Sequence, residues 1–135
     1  MTKKELALEN HKKGYNCAQA VLCSFCKELG IEEEQAYKLA EGFGLGMGSM
    51  DTCGALTGLF MLIGMKNSGG TVNAGLTKAD TYKKVRDYAN KFREKTGSVY
   101  CRELKGVATG KVLSPCDKCI ADAVTLAEVF LNEKK

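Results

Sequence analysis

Hydrophobic and polar positions along the chain follow the period of an α-helix. Apolar residues recur three and four positions apart, and no stretch keeps the two-residue alternation of a strand. The pattern predicts helices over 3–13, 17–29, 32–43, 52–66, 78–96, 99–105 and 115–133. The segment 52–66 is apolar on nearly all sides and is expected to run through the centre. The predicted fold class is therefore all-α, a single-domain bundle of about five to seven helices around a central apolar helix.

Length and charge narrow the class of protein. A chain of 135 residues supports one domain, residues 1–135, and can bury a core without disulfides. The net charge of +4 is spread among acidic residues, and no basic stripe with aromatics suggests a nucleic-acid partner. No apolar stretch reaches the roughly 20 residues that a membrane span needs. Because no secretory signal follows Met1, we expect a cytoplasmic protein without membrane attachment.

Seven cysteines are the main chemical feature of the sequence. In a cytoplasmic protein they are more typical of metal ligands or redox thiols than of structural disulfides. Four are predicted in the first turns of four helices, each after a capping residue. They are Cys17, Cys53, Cys101 and Cys116, and the predicted caps are Asn16, Asp51, Ser98 and Ser114. A helix N-terminus lowers thiol pKa and stabilises thiolates, the form that reacts and binds metal.

Two glycines follow Cys53 on the predicted central helix. Gly54 removes a side chain where a cofactor or another helix would approach, and Gly58 lies on the same face four residues on. Both are candidate cofactor-binding positions, although close helix packing alone would explain Gly58. The loop 42–48 is not a nucleotide-binding loop, since no strand precedes it and no lysine follows it. It is predicted to be a turn with positive φ angles.

The other three cysteines are candidate auxiliary thiols. Cys26 and Cys119 lie on apolar helix faces, where cysteine often behaves as a small hydrophobe. Cys23 lies at the flank of its helix and is expected to be nearly exposed. Cys116 and Cys119 form a C-x-x-C pair, but the βαβ context of thiol–disulfide oxidoreductases is missing.

The only histidine, His11, is expected to be a solvated residue of the polar first helix. A single histidine gives no basis for a Cys–His pair or a Ser–His–Asp triad. The sequence therefore indicates no hydrolytic site, and whether the protein is an oxidoreductase or an electron-transfer component stays open.

Around the cysteines the chain resembles the redox-active family named for the pattern C_GCAxxG_C_C. The resemblance covers about residues 10–130 and is carried by residues 14–21 (GYNCAQAV), 42–58, 101–106 (CRELKG), and Cys116 with Ile120 and Ala123. Thr52 stands where the family name has glycine. Cys23, Cys26 and Cys119 are additional to the pattern, so the resemblance implies no role for them.

The resemblance implies a redox function. A similar domain occurs in split-Soret cytochromes, where an iron–sulfur centre accompanies the haems. The present chain lacks the C-x-x-C-H motif, so no haem is expected. By resemblance, the cluster ligands are Cys17, Cys53, Cys101 and Cys116. We expect electron transfer or redox sensing through a cluster, [2Fe–2S] rather than [4Fe–4S], that is readily lost in air.

Two alternatives remain open at this point. One is a metal-free thiol–disulfide protein, and the other is a structural zinc-binding or interaction module. A redox partner protein is expected but not identified by the sequence. An exposed face on the apolar central helix would also favour a homodimer.

Overall fold

The structure is a computed structural model that describes residues 1–133, so the last two residues of the predicted domain lie outside it. Within that range the chain forms eight α-helices and no strand. The helices are α1 (Lys3–Lys12), α2 (Cys17–Cys23), α3 (Cys26–Leu29), α4 (Glu33–Ala40), α5 (Gly54–Asn67), α6 (Lys78–Thr96), α7 (Cys101–Lys105) and α8 (Cys116–Glu133). The predicted all-α bundle is confirmed.

One predicted helix, 17–29, is two helices in the structure. The Ser24 hydroxyl donates to the Val21 carbonyl oxygen at 2.7 Å, and the amides of Ser24 and Phe25 bond three residues back rather than four. Side-chain bonding of this kind competes with the helical ladder. The helix therefore ends at Cys23 and restarts at Cys26.

The remaining helix bounds shift by a few residues at most. α6 has the predicted bounds, whereas the predicted segment 32–43 becomes α4 followed by a short 3₁₀ turn, Glu41–Phe43. The central helix begins at Gly54 rather than residue 52, and the short helix begins at Cys101 rather than residue 99. Both shifts move a cysteine closer to the start of its helix.

The apolar helix α5 lies at the centre, as predicted, and packs against α2, α6 and α8. Residues 54–59 are buried without a break, as are Leu62 and Ile63. Among its apolar residues only Met65, near the C-terminal end, is clearly exposed. This helix lacks the long exposed face that would have favoured a homodimer, and dimerisation stays a prediction. None of the described helices is long and apolar enough to cross a membrane.

The contact between α2 and α5 depends on two glycines. A Cβ atom at Gly58 would lie 2.9 Å from the carbonyl oxygen of Ala18, and one at Gly54 would lie 2.9 Å from the carbonyl oxygen of Phe43. Protein atoms therefore fill the space that both glycines leave. Gly58 packs against α2, and its assignment as a cofactor-binding position stays a prediction. The close approach brings the start of α2 beside the start of α5.

Candidate functional site: a cavity lined by cysteines

Five of the seven cysteines line one cavity of about 180 Å³. They comprise all four predicted site cysteines and one of the auxiliary thiols: Cys17, Cys53, Cys101, Cys116 and Cys119. The five come from the starts of α2, α5, α7 and α8, which meet at the cavity. Gly54 also lines it, and a Cβ atom there would meet Phe43 and the start of α2.

Cys17 is placed by the cap that the sequence predicts. The Asn16 side chain accepts a hydrogen bond from the Gln19 amide at 2.9 Å, and the Gln19 side chain accepts one from the Asn16 amide at 2.8 Å. This reciprocal capping box fixes the first turn of α2. Cys17 is therefore the first helical residue, as predicted.

Cys53 and Cys101 are placed by each other's flanking backbone. The Cys53 amide donates to the Val99 carbonyl oxygen at 2.8 Å, and the Cys101 amide donates to the Asp51 carbonyl oxygen at 2.7 Å. These bonds form the isolated antiparallel bridge between Thr52 and Tyr100.

The predicted caps of these two helices are wrong. Cys53 itself is the N-cap residue of α5, so Asp51 is not the cap. Tyr100 is the N-cap of α7, while the Ser98 hydroxyl accepts from the Tyr100 amide and donates to the Glu103 carboxylate. The two cysteines nevertheless lie at helix starts, as expected.

The loop before Asp51 has an unusual left-handed backbone. Leu45, Gly46, Met47 and Gly48 all have positive φ, which the sequence predicts for the glycines only. Left-handed geometry costs a non-glycine residue about 1–2 kcal/mol. Gly46 permits the tightest contact, because a Cβ there would lie 2.6 Å from the Asp51 nitrogen. Leu45 and Gly46 line the cavity, so the strain is located beside the thiols.

Cys116 and Cys119 lie in the first turn of α8. The Cys119 amide donates to the Pro115 carbonyl oxygen at 3.0 Å, which makes Cys116 the first helical residue rather than the second. The predicted cap Ser114 contacts the Cys119 sulfur through its hydroxyl at 3.5 Å. Cys119 is thus part of the cavity wall and not simply a small apolar residue of the core.

The thiols of Cys17 and Cys116 are paired by a hydrogen bond. The bond that Cys17 donates lowers the pKa of Cys116 to about 5, helped by the positive charges of Lys105 and His11. The same bond, followed by burial, raises the pKa of Cys17. The shared hydrogen bond therefore favours the thiolate on Cys116 and the thiol on Cys17.

Cys53 and Cys119 form a second pair of the same kind. The shared hydrogen bond is the main cause that raises the pKa of Cys53 and lowers the pKa of Cys119. The amides of Ala55 and Leu56, in the first turn of α5, act in the opposite direction on Cys53 and lower its pKa. Burial raises the pKa of Cys101. The expectation that every helix start lowers its thiol pKa is wrong, because thiol pairing and burial outweigh the helix terminus.

Three polar residues of the site were not assigned to it from the sequence. Lys105 hydrogen bonds to Cys116, and His11 lines the cavity rather than being fully solvated. The His11 Nδ1–H donates to the Tyr15 carbonyl oxygen at 2.9 Å, which fixes the ring. Ser114 was predicted only as a cap. Lys105 lies one helical turn after Cys101, so the two share a helix face. This spacing was the one sequence signal that could have assigned Lys105 to the site.

Cys23 and Cys26 lie outside this cavity. Cys23 is buried, with 6% of its surface exposed, in a cluster with Leu22, Ala36 and Ala40. The expectation that it is nearly exposed is wrong. Cys26 is only partly buried, at the start of α3.

The donor chemistry of the cavity fits an iron–sulfur cluster, because such clusters are held by cysteine thiolates. Among residues 1–133, no three His, Cys, Asp or Glu side chains are grouped so that they could hold one metal ion. The thiols instead stand as two contacting pairs with Cys101 beside them.

The structure is all-helical over the described residues, and the starts of four helices bring five thiols to one cavity. The chain belongs to the C_GCAxxG_C_C family, whose model, described as "Putative redox-active protein (C_GCAxxG_C_C)", matches residues 15–130. The resemblance seen in the motif blocks is thereby confirmed. Comparison with curated proteins and with solved structures gave no match.

Proposed function

We propose that this redox protein holds an iron–sulfur cluster in its cysteine-lined cavity and serves in electron transfer or redox sensing. The observation that carries the proposal is the convergence of Cys17, Cys53, Cys101 and Cys116 on one cavity from four separate helix starts. A packed core gives no reason for thiols from four segments to face the same space. We place the protein in the cytoplasm, with a separate redox protein as its partner.

The proposed ligands are the four cysteines of the family pattern, with Cys119 as their neighbour. The cavity of about 180 Å³ is somewhat larger than a cavity of roughly 150 Å³ that accommodates benzene. Of the two clusters that four cysteines hold, we propose [2Fe–2S] rather than [4Fe–4S]. When bound, the cluster would supply one-electron oxidation and reduction.

The protein's own groups would offset the negative charge of a thiolate-bound cluster. Lys105 brings positive charge to Cys116, and the amides of Ala55 and Leu56 favour the thiolate of Cys53. Charge and hydrogen bonds around the sulfurs set the reduction potential of such clusters. Leu45 and Leu104 add apolar surface to the cavity wall and limit the entry of water.

The decisive experiment is anaerobic purification from iron-replete cells, followed by iron, sulfide and zinc analysis and an absorption spectrum. A coloured protein with iron and sulfide in equal amounts is the expected result. Colourless protein without iron would overturn the proposal. Stoichiometric zinc, without a redox response, would instead support a structural zinc-binding or interaction module.

A metal-free thiol–disulfide protein is the second candidate, favoured by the contacting pairs Cys17–Cys116 and Cys53–Cys119. A low thiol pKa such as that of Cys116 is typical of reactive cysteines. This candidate predicts reversible bridges within the two pairs and a two-electron potential. Free-thiol counts that are equal in oxidising and reducing buffers would eliminate it.

A further inference from the structure

The two cysteines outside the cavity pack in the same apolar cluster. Cys23 ends α2 and Cys26 begins α3, three residues later. Cys17 lies six residues before Cys23, or about 9 Å along a helix axis. The pair is therefore separate from the cavity thiols.

The break between α2 and α3 lies between the two cysteines, so they are not held at the spacing of a continuous helix. In a continuous helix, Cβ atoms three residues apart are about 5–6 Å from each other, whereas a disulfide needs roughly 3.5–4.5 Å. Phe25 leaves the helical conformation, with φ −115° and ψ 15°. Phe25 and Ser24 are both buried, so packing holds the break in place.

The two thiols differ in their access to solvent. Cys26 is partly exposed, whereas Cys23 is buried and its thiol donates a hydrogen bond to the Glu33 carbonyl oxygen at 3.9 Å. A molecule from solution therefore reaches Cys26 first. An accessible thiol backed by a buried one is the arrangement of an attacking and a resolving cysteine.

We propose that Cys23 and Cys26 form a second thiol–disulfide centre, independent of the cavity, that reacts with low-molecular-weight disulfides. The Cys26 thiolate attacks one sulfur of the small disulfide, and the other sulfur leaves as a thiolate that takes up a proton. Cys23 then loses its proton and attacks the Cys26 sulfur, which releases the second small thiol. The protein gives up two electrons and two protons, and the disulfide becomes two thiols.

The surroundings of the pair make this reaction slow at neutral pH and faster in alkali. Burial raises the pKa of Cys26, and burial followed by the charge of Cys26 raises the pKa of Cys23 to about 12. The groups that face the pair come from the loop before α2 and from α1, α3 and α4, and they are Tyr15, Lys3, Glu28 and Glu33. Only Lys3 is positive, so the local charge disfavours the thiolates. Below the thiol pKa, each pH unit should raise the oxidation rate about tenfold.

The test uses oxidised glutathione on the full-length chain under anaerobic conditions, followed by trapping of free thiols with N-ethylmaleimide. Trypsin releases residues 14–27, which carry Cys17, Cys23 and Cys26, and fragment-ion spectra locate any bridge. We expect a Cys23–Cys26 disulfide in the wild-type protein. In Cys23→Ser, Cys26 should stop as a mixed disulfide with glutathione. In Cys26→Ser, Cys23 should remain a free thiol.

Three outcomes would overturn the proposal: maleimide on both Cys23 and Cys26 after exposure at pH 8.5, a lasting mixed disulfide on Cys26 in the wild-type protein, or a bridge from Cys23 to Cys17. Circular dichroism would show whether each variant folds. The location of the disulfide in the wild-type protein tests the proposal even if a variant does not fold. Iron content in the Cys23→Ser, Cys26→Ser double variant should equal that of the wild-type protein. An iron-free wild-type protein would refute the cluster and leave the dithiol result intact.

Discussion

The Cys101 amide donates a 2.7 Å hydrogen bond to the carbonyl oxygen of Asp51, two residues before Cys53. The reciprocal bond runs from the Cys53 amide to the carbonyl oxygen of Val99, two residues before Cys101. Because both bonds are between backbone atoms, they fix the two cysteines without help from a bound group. The cavity is thus held in shape at this edge by the polypeptide itself.

Replacement of Cys53 should remove the cluster. Cys53→Ser keeps the backbone bond to Val99 but replaces the thiolate by a hydroxyl, a poor ligand for iron. We expect iron and sulfide per chain to fall about tenfold or more, since even residues that only support metal ligands change affinity about 10–100-fold. Cys23→Ser is the matched control, because both side chains are almost equally buried, 5% and 6% exposed. Equal losses in the two variants would contradict the proposed ligand set.

Serine substitution should affect binding of the proposed cluster differently at Cys101 and at Cys119, although both cysteines line the cavity. Cys119 has partners within the protein, since its thiol lies 3.7 Å from the Ser114 carbonyl oxygen and is paired with Cys53. We therefore expect Cys101→Ser to lose the cluster and Cys119→Ser to retain it with a shifted reduction potential. Iron content and redox titration measure both effects. Loss of iron in Cys119→Ser, with iron retained in Cys101→Ser, would assign the fourth ligand to Cys119.

Lys105 should control the reactivity of Cys116 in metal-free protein. The pKa of Cys116 is lowered to about 5, first by the hydrogen bond from Cys17 and then by Lys105, so its thiolate persists down to about that pH. Lys105→Met removes a positive charge that favours the thiolate, and the apparent pKa of the pair should rise. Alkylation of Cys116 by iodoacetamide at pH 5 should slow several-fold, with little change at pH 9. Lys111→Met is the control and should leave the rate profile unchanged.

Substitution by alanine should lower the free energy of unfolding more at Gly46 than at Gly48. Both have positive φ, but a Cβ at Gly46 would meet Asp51 and the Cys101 Cβ, whereas a Cβ at Gly48 would meet nothing within 4 Å. Gly48→Ala should lower the free energy of unfolding by about 1–2 kcal/mol through backbone strain alone. Gly46→Ala should lower it by about 2–5 kcal/mol and disturb Cys101, since overpacking adds to the strain. Urea denaturation measures both, and equal losses would show that the loop yields to the added methyl group.

Substitution by alanine should have opposite effects on stability at Gly58 and Gly64, two glycines of α5. A methyl group added at Gly58 would meet Ala18 and Val21 of α2. A methyl group added at Gly64 would have no neighbour within 4 Å. Gly64→Ala should raise the free energy of unfolding by about 0.5–1 kcal/mol, because alanine has the higher helix propensity. Gly58→Ala should lower it by about 1–2 kcal/mol, since overpacking exceeds that gain. A stabilising Gly58→Ala would mean that α2 can move away from α5, and Cys17 with it.

The sequence by itself predicted the helices and the four site cysteines. Apolar periodicity is a local property, and it placed α6 at its bounds and α5 at the centre. The cap at Asn16 and the Ser-Pro start before Cys116 are local signals as well, and they placed both cysteines within one residue of their positions. Local chemistry is sufficient for such features because neighbours in the chain determine them.

The tertiary structure decided which thiols share a cavity and how far the pKa of each is shifted. Nothing local to Cys119 or His11 indicates that they face the same cavity as Cys17. The break at Ser24, which lies between Cys23 and Cys26, also has no strong sequence signal. Thiol pKa depends on hydrogen bonds, burial and charges that come from other helices. Because packing of distant segments sets these quantities, periodicity and capping patterns could identify the cysteines but not their pairing.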